Sequence, residues 1–245
     1  MAEAKHIGIL MHSAEGALLC HRTAVHEGIR RMGPHNHPKI TMSGRAMRHA
    51  LAAWEAGDHA SIRALFAEDA EALAAAGCDF FVLPDNSAHI ALEAAGDPLP
   101  LPCLHIGEVV GDIAAERGFA KVGVLGTRWT MMGPVYAGAF ERRGIGWTTP
   151  EAATQDRLHD IIMDELCLGR FERESIAFYE RAIEGLAEAG CDAVALVCTE
   201  IPLIISEENS ALPVLDSTRL LAVAAVDVAL GERPMPSWRG GPVGG

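Results

Sequence analysis

The stretch AGCDFFVLPDNSAH (residues 76–89) runs from a helix-ending glycine through a short apolar segment into a group of polar residues. The same pattern returns 113 residues later as AGCDAVALVCTEIP (residues 189–202). A continuous apolar run bounded by turn residues is typical of a strand that is buried on both faces of a parallel sheet. Because a segment rich in Ala, Leu and Glu precedes each copy, the pattern predicts a helix–strand unit that occurs twice.

Two further pairs of segments recur in the same order. HIGILM (residues 6–11) matches KVGVLG (121–126), and LPCLHI (101–106) matches LPVLDS (212–217). Chance similarity between Ala-rich units is the alternative explanation, but three collinear matches favour a true repeat. Strands that alternate with helices predict an α/β fold with parallel sheets.

We therefore predict two similar lobes, each with a parallel sheet flanked by helices, related by a pseudo-twofold axis. The first lobe is predicted to comprise residues 1–115 with 216–232, and the second residues 116–215. Residues 233–245 are rich in Gly and Pro, and this composition predicts a flexible tail. In open α/β sheets ligands bind beyond the carboxyl ends of the strands, so we expect the site in a cleft between the lobes.

The overall composition excludes several classes of function. With 20 basic and 33 acidic residues the net charge is −13, which argues against a nucleic-acid partner. No apolar run reaches the roughly 18–20 residues of a membrane span, and the N-terminal segment lacks the features of a signal peptide. We therefore expect a cytoplasmic protein with reduced thiols. Its six cysteines form no CxxC pair, so no zinc or redox motif is indicated.

Two residues occupy equivalent positions in the repeat and have side chains suited to acid–base chemistry. Asp85 and Cys198 both follow a predicted strand, where the next helix begins. The N–H groups at such helix starts favour anions, especially carboxylates. Asn86, Ser87 and Thr199 add amide and hydroxyl groups beside them. The pattern predicts a site for a small carboxylate with one acid–base group from each lobe.

LPDNSAH (residues 83–89) and VCTEI (197–201) resemble the two signature segments of the aspartate/glutamate racemase superfamily. That superfamily includes cofactor-independent amino-acid racemases, hydantoin racemases, maleate isomerases and arylmalonate decarboxylases. The resemblance covers residues 6–230. VGVLGTRWTMMGPVY (122–136) is similar to the family's strand and anion-binding turn, and LDSTRLLAVAAVDVAL (215–230) to its closing helix. The chain departs from the family in its N-terminal turn, MHSAEGA (11–17), and at Asp85, where the family has a cysteine.

The resemblance implies an isomerase of amino-acid metabolism, a homodimer, in which two acid–base groups flank the substrate α-carbon. Cys198 matches one family thiol, and Asp85 stands in place of the other. Aspartate side chains ordinarily titrate near pH 4 and cysteine thiols near pH 8.5, so Asp85 is the expected base and Cys198 the expected acid. An ordinary carboxylate is a weaker base than a thiolate by about 4.6 pK units, which corresponds to roughly 6 kcal/mol less driving force for removal of the α-proton. Burial of Asp85 would recover part of this difference.

The predicted substrate-binding residues lie near the ends of other strands. The resemblance implies that Arg45 or Arg48 binds a distal carboxylate, and a surface position on a helix is the alternative for each. For His12 and Ser13 the alternative is a solvated loop after the first strand. For the other predicted binding residues the alternative is capping of a helix N-terminus. His89 is interpreted as a packed neighbour of Asp85, and Glu200 as structural or as a support for Cys198. The remaining predicted binding residues are His12, Ser13, Asn86, Ser87, Thr127, Thr130 and Thr199.

Two other functions stay open at this point, a decarboxylase or isomerase that uses only Cys198, and a binding protein without catalysis. The three lysines, Lys5, Lys39 and Lys121, each precede a predicted strand, away from the expected site. This placement argues against a pyridoxal phosphate cofactor, and no dinucleotide or P-loop motif is present. His35 and His37 lie in a Pro-containing loop, and we predict no metal site there.

Overall fold

The computed structural model describes residues 4–243 of the 245-residue chain. The described residues form two compact units. Unit 1 comprises residues 4–106 and 218–243, and unit 2 comprises residues 107–217. Each unit is an α/β structure around one four-stranded parallel sheet, so the predicted fold class of two similar α/β lobes is confirmed.

In unit 1 the strands lie in the order β2-β1-β3-β4, and every pair is parallel. The central strand β1 pairs Ile9 with Met42 on one side and with Val82 on the other. The elements are β1 Ile7–Met11, α1 Ala14–Met32, β2 Ile40–Gly44, α2 Arg48–Ala56, α3 His59–Ala75, β3 Phe80–Val82, α4 Ala88–Glu93, β4 Cys103–Leu104 and, after unit 2, α10 Ser217–Leu230.

Unit 2 repeats this topology, with its strands in the order β6-β5-β7-β8. Its central pair, β5 and β7, ends with Gly126 opposite Val197. The elements are α5 Ile106–Glu116, β5 Lys121–Gly126, α6 Arg128–Met132, α7 Pro134–Glu141, β6 Gly146–Thr148, α8 Ala152–Asp164, α9 Arg173–Glu188, β7 Ala193–Val197 and β8 Val214–Asp216, with 3-10 turns at Leu166–Leu168 and Ile201–Leu203.

The glycine of the repeated AGCD motif reverses the chain after a helix in both units. Gly77 follows α3 with φ of 81°, and Gly190 follows α9 with φ of 82°. This left-handed conformation is strained for residues with a Cβ atom, and glycine adopts it freely. The glycine therefore lets each helix end abruptly and the chain enter the next strand.

The aspartate of the same motif fixes the start of the neighbouring strand. In unit 1 the Asp79 carboxylate accepts a hydrogen bond from the His6 backbone N–H at 2.7 Å. In unit 2 the Asp192 carboxylate accepts from the N–H groups of Ala120 at 2.7 Å and Lys121 at 3.1 Å. The repeat thus preserves a side-chain contact as well as a strand.

The core of each unit lies between its sheet and the covering helices. In unit 1, Phe66 and Leu73 of α3 pack with Phe81 of β3. In unit 2, Leu186 of α9 belongs to a cluster with Leu196 of β7. The inner strands β1, β3 and β7 are buried and carry continuous apolar runs, as the sequence predicted.

The structure contains two elements that the sequence interpretation missed. Helix α2 has nine residues and is largely exposed, with only Ala50 and Trp54 buried, so few positions mark a core-facing side. Strand β6 has three residues and begins with a glycine. The sequence also predicts a helical stretch over residues 156–189 with a break at residues 168–169. The structure has that break: it separates α8 from α9, and Gly169 lies in it with φ of 70°.

Residues 238–241 differ from the flexible tail that their composition predicts. The Cys103 N–H donates to the Trp238 carbonyl at 2.8 Å, and the Leu99 N–H donates to the Arg239 carbonyl at 2.8 Å. These bonds attach the segment beside β4, the edge strand of unit 1.

We expect the Asp192→Ala variant to lower the free energy of unfolding by about 1–3 kcal/mol, because two backbone N–H groups lose a charged acceptor. Urea unfolding at neutral pH measures the change. Asp160→Ala, which removes an exposed carboxylate from α8, is the matched control and should leave stability within about 0.5 kcal/mol. Equal stability of the two variants would contradict the role of Asp192.

Candidate active site

Asp85 lies just beyond the carboxyl end of β3, at the entrance to α4. Its carboxylate is buried, with the residue 7% exposed. Oδ1 accepts hydrogen bonds from the Ser87 hydroxyl at 3.0 Å and from the Ala88 N–H at 3.1 Å. The first turn of α4 therefore holds one carboxylate oxygen in place, as a side chain does at a helix N-terminus.

The structure brings His12 to the second oxygen of this carboxylate. His12 follows β1 directly, and its Nε2 lies 3.9 Å from Asp85 Oδ2. The same Nε2 accepts a hydrogen bond from the indole N–H of Trp54 at 3.4 Å, and the ring packs edge-on against Phe66. Because an indole only donates, Nε2 is the acceptor of this hydrogen bond. Sequence reasoning missed Trp54, since a tryptophan in a helix is usually a packing residue.

His89 is bonded to the backbone of Asp85 rather than to its carboxylate. The Ile106 N–H donates to His89 Nε2 at 3.2 Å, so the proton is on Nδ1, which donates to the Asp85 carbonyl at 2.9 Å. Complete burial, together with the neighbouring His105, lowers the pKa of His89 to about 3. The ring is therefore neutral and keeps a fixed tautomer.

Three of the predicted binding hydroxyls lie in the first turns of helices. Ser13 Oγ accepts from the Gly16 N–H at 3.3 Å at the start of α1. Thr127 Oγ1 accepts from the Thr130 N–H at 3.3 Å at the start of α6, and the two threonine hydroxyls are 2.9 Å apart. These bonds establish Ser13 and Thr127 as helix caps. All three side chains are buried, and substrate contact stays a prediction for each of them.

The two predicted arginines differ in their surroundings. Arg45 follows β2 and forms ion pairs with Asp69 at 2.9 Å and with Glu68 at 3.0 Å. Arg48 is exposed at the start of α2 and has no ion pair within residues 4–243. Within the described residues, the Arg45 guanidinium is therefore already paired with two carboxylates, whereas the Arg48 guanidinium is not paired with one.

Cys198 follows β7, and its thiol is held by a carboxylate. The thiol donates a hydrogen bond to Glu200 Oε2 at 3.0 Å, and the Thr199 hydroxyl donates to the same oxygen at 2.9 Å. Burial, and next the negative charge of Glu200, raise the pKa of Cys198 well above its ordinary value. The sulfur therefore carries its proton at neutral pH, as an acid requires.

Tyr136 is a neighbour of Cys198 that the sequence interpretation missed. The phenol is fully buried and hydrogen-bonded to Ser217, whose own hydroxyl proton is donated to the Leu196 carbonyl at 2.8 Å. Burial raises the pKa of Tyr136, and the negative charge of Asp216 raises it further. A tyrosine in an apolar helix carries no sequence signal that separates a site neighbour from a core residue.

The chain that carries these strand-end groups is similar to a known protein family. The model of the family described as Asp/Glu/hydantoin racemase matches residues 22–225, most of the chain. The chain belongs to this racemase family. The family resemblance inferred from the two repeated segments is thereby confirmed, and racemases are isomerases.

Individual relatives of this racemase-family protein agree with the assignment. It is 24% identical over 177 residues to the broad specificity amino-acid racemase RacX of Bacillus subtilis (strain 168), a match that covers 71% of this chain and 74% of RacX. A crystal structure of a candidate Asp/Glu racemase from Yersinia pestis has 30% identity and a TM-score of 0.82, covering 92% of this chain and 99% of that one.

An aspartate racemase homologue from Pyrococcus horikoshii OT3 shares the fold, with a TM-score of 0.78 at 22% identity, covering 92% of this chain and 99% of that one. Within residues 4–243 of the racemase-family chain, no group of three or more His, Cys, Asp or Glu side chains is arranged to hold a metal ion. No helix in the same described range is long and apolar enough to cross a membrane.

We expect Glu200→Gln to lower the pKa of Cys198, because the substitution removes the negative charge that disfavours the thiolate. A pKa lower by one pH unit raises the thiolate fraction, and hence the alkylation rate below the pKa, about tenfold. The pKa should stay above the ordinary value, since the thiol remains buried. Iodoacetamide labelling of the Cys198 peptide across a pH series, followed by mass spectrometry, measures the change in pKa.

The matched control is Glu184→Gln, which neutralises an exposed carboxylate on α9 of the same unit. Its labelling profile should coincide with that of the unmodified protein. An unchanged or higher midpoint in Glu200→Gln would show that the Glu200 charge does not control the thiol.

Proposed function

We propose that this chain is a cofactor-independent racemase or epimerase of a small carboxylate, either an acidic amino acid or a derivative of one. Asp85 and Cys198 act as its opposing acid–base pair. The observation that carries the proposal is the protonated, buried thiol of Cys198, bonded to Glu200 in a chain of the racemase family. The repeat supports the pairing, because it assigns Asp85 and Cys198 to equivalent strand ends.

The proposed reaction consists of two proton transfers at the α-carbon. The Asp85 carboxylate takes the α-proton, so that the Cα–H bond breaks and an O–H bond forms. The Cys198 thiol then delivers its proton to the opposite face, so that the S–H bond breaks and a new Cα–H bond forms. The product leaves a protonated Asp85 and a Cys198 thiolate, and exchange with water or the reverse reaction restores the starting state.

Glu200 affects the two directions of this reaction differently. Its carboxylate holds the thiol in the form that donates, but it opposes the thiolate that remains after donation. Before Cys198 can serve as the base, its thiol must lose its proton. Glu200 Oε2 already accepts a hydrogen bond from that proton and is positioned to take it. Since two enantiomers have equal free energy, kcat/KM is the same for both, and the asymmetry appears in kcat and KM separately.

The proposed substrate contacts are the polar groups that share the strand ends with these two residues. Arg48 is preferred over Arg45 for a distal carboxylate, because Arg45 is already paired with Asp69 and Glu68. A cytoplasmic location and a homodimer remain predictions from the sequence and from its family resemblance. The other proposed contacts are His12, Ser13, Asn86, Ser87, Thr127, Thr130 and Thr199.

A second candidate is a decarboxylase of a substituted malonate, or an isomerase, that uses Cys198 alone. The protonated thiol favours this candidate too, because loss of CO2 creates a carbanion that one acid can protonate. In that case Asp85 is not required as a base. The two candidates therefore differ in their dependence on Asp85.

The test is α-proton exchange in D2O, followed by NMR, with both enantiomers of aspartate, glutamate and a panel of small carboxylates. We expect exchange with inversion in the unmodified protein and at least about a hundredfold loss in both Asp85→Asn and Cys198→Ala, because each removes one of the two proton carriers. Asp97→Asn and Cys191→Ala are the controls, and both should retain activity.

Each outcome separates the candidates. Exchange with retention of configuration would assign a single working base and contradict the two-base reaction. Release of CO2 from substituted malonates that survives Asp85→Asn but not Cys198→Ala would establish the decarboxylase instead. Binding without exchange or CO2 release across the panel would identify a non-catalytic carboxylate-binding protein.

A further inference from the structure

The C-terminal segment comprising residues 236–241 is anchored to unit 1 by side chains as well as by its backbone. The Trp238 indole N–H donates to the Gly241 carbonyl at 2.9 Å, which closes the segment into a turn. The Gly241 N–H in turn donates to the Leu92 carbonyl at 2.8 Å, in the helix α4 that follows Asp85. Together with its bonds to residues 99 and 103, the segment thus spans from β4 to α4.

A buried arginine lies under this turn. Arg63 is 5% exposed and donates to the carbonyls of Leu92 and, at 2.8 Å, Asp97. Gly240 has φ of 80°, and a Cβ atom there would collide with the Arg63 guanidinium. The close approach of Gly240 to a buried cation indicates that the C-terminal segment is built into the fold of unit 1.

The Trp238 ring covers the histidine that is bonded to the Asp85 backbone. It stacks on the His89 imidazole with ring centroids 6.2 Å apart and planes 11° apart. Trp238 also packs edge-on against the His105 ring, with the ring centroids 4.7 Å apart. His105 Nε2 is in turn hydrogen-bonded to Glu93 Oε1 at 2.9 Å. Because His89 donates to the Asp85 carbonyl, a continuous chain of contacts connects Trp238 with Asp85.

We propose that Trp238 is a positioning residue for Asp85. By covering His89, Trp238 keeps the imidazole on the Asp85 carbonyl and excludes water that would compete for that bond. The position of the Asp85 carboxylate relative to a substrate then depends on residues 236–241, although this segment is about 150 residues away in sequence. The catalytic part of this inference rests on the proposed role of Asp85 as a base.

The first test measures the contact chain without any substrate. Amide hydrogen exchange, followed by mass spectrometry, should show that Trp238→Ala accelerates exchange in peptides covering residues 85–93 by about tenfold, because an aromatic contact and its burial are lost. Peptides covering residues 193–200 of unit 2 should exchange as in the unmodified protein. Met235→Ala removes an exposed side chain of the same tail and should change neither region.

The second test measures catalysis with the substrate found by the D2O assay. Trp238→Ala should lower kcat about tenfold with little change in KM, because a displaced base slows proton transfer more than it weakens binding. Trp238→Phe, which keeps an aromatic face over His89, should recover most of the loss. His89→Asn, which retains a donor near the position of Nδ1, should be more active than His89→Ala.

The outcomes keep this proposal apart from the proposed function. Unchanged exchange at residues 85–93 in Trp238→Ala would overturn the contact chain, whatever the protein catalyses. Faster exchange there with unchanged kcat would overturn the positioning role. If the unmodified protein shows no proton exchange with any substrate, the racemase proposal fails while the hydrogen-exchange result still decides the contact chain. Should Trp238→Ala not fold, Trp238→Leu, which keeps apolar volume but no aromatic face over His89, takes its place in both measurements.

Discussion

Parallel strand pairing is the constraint on which the rest of this structure depends. Parallel strands must be joined by crossovers, and these crossovers place helices on both faces of each sheet and all strand ends of one kind at one edge. Asp85 and His12 follow neighbouring strands of unit 1, and Thr127 and Cys198 follow neighbouring strands of unit 2. Groups far apart in sequence are therefore brought to one edge of a sheet without any special contact between them.

The two proposed acid–base groups occupy equivalent places but opposite chemical surroundings. One oxygen of Asp85 accepts bonds from Ser87 and Ala88, which stabilise a carboxylate. The thiol of Cys198 instead donates to a carboxylate, which stabilises the protonated sulfur. In the proposed reaction of one enantiomer, Asp85 starts as a carboxylate and Cys198 as a protonated thiol. The surroundings of each group favour that starting form.

Fixed hydrogen-bond donors and acceptors account for much of this local order. His89 is neutral with a defined tautomer because one ring nitrogen accepts from Ile106 and the other donates to Asp85. The Glu200 oxygen receives both the Cys198 thiol and the Thr199 hydroxyl. Such contacts orient a reactive group before any ligand arrives, which reduces the reorganisation needed during the reaction.

The repeat allowed the fold class and the positions of Asp85 and Cys198 to be predicted, because strand periodicity and turn glycines are local properties of the chain. Short elements were less well predicted: α2 and β6 were missed, since each has few residues and little buried surface. The pairing of Arg45 with Asp69, the bond between Trp54 and His12 and the contact of Trp238 with His89 were not predictable in this way. Each of them joins residues on different elements.

By itself the sequence determined the two α/β units, the racemase family and the strand-end location of the candidate acid–base groups. Only the tertiary structure decided which side chains surround those groups. It assigned Glu200 to the Cys198 thiol, His89 to the Asp85 carbonyl, and Trp238 to the face of His89. The physical reason is that periodicity records which face of an element is buried, whereas a hydrogen bond or ring contact depends on distances between elements that only the folded chain fixes.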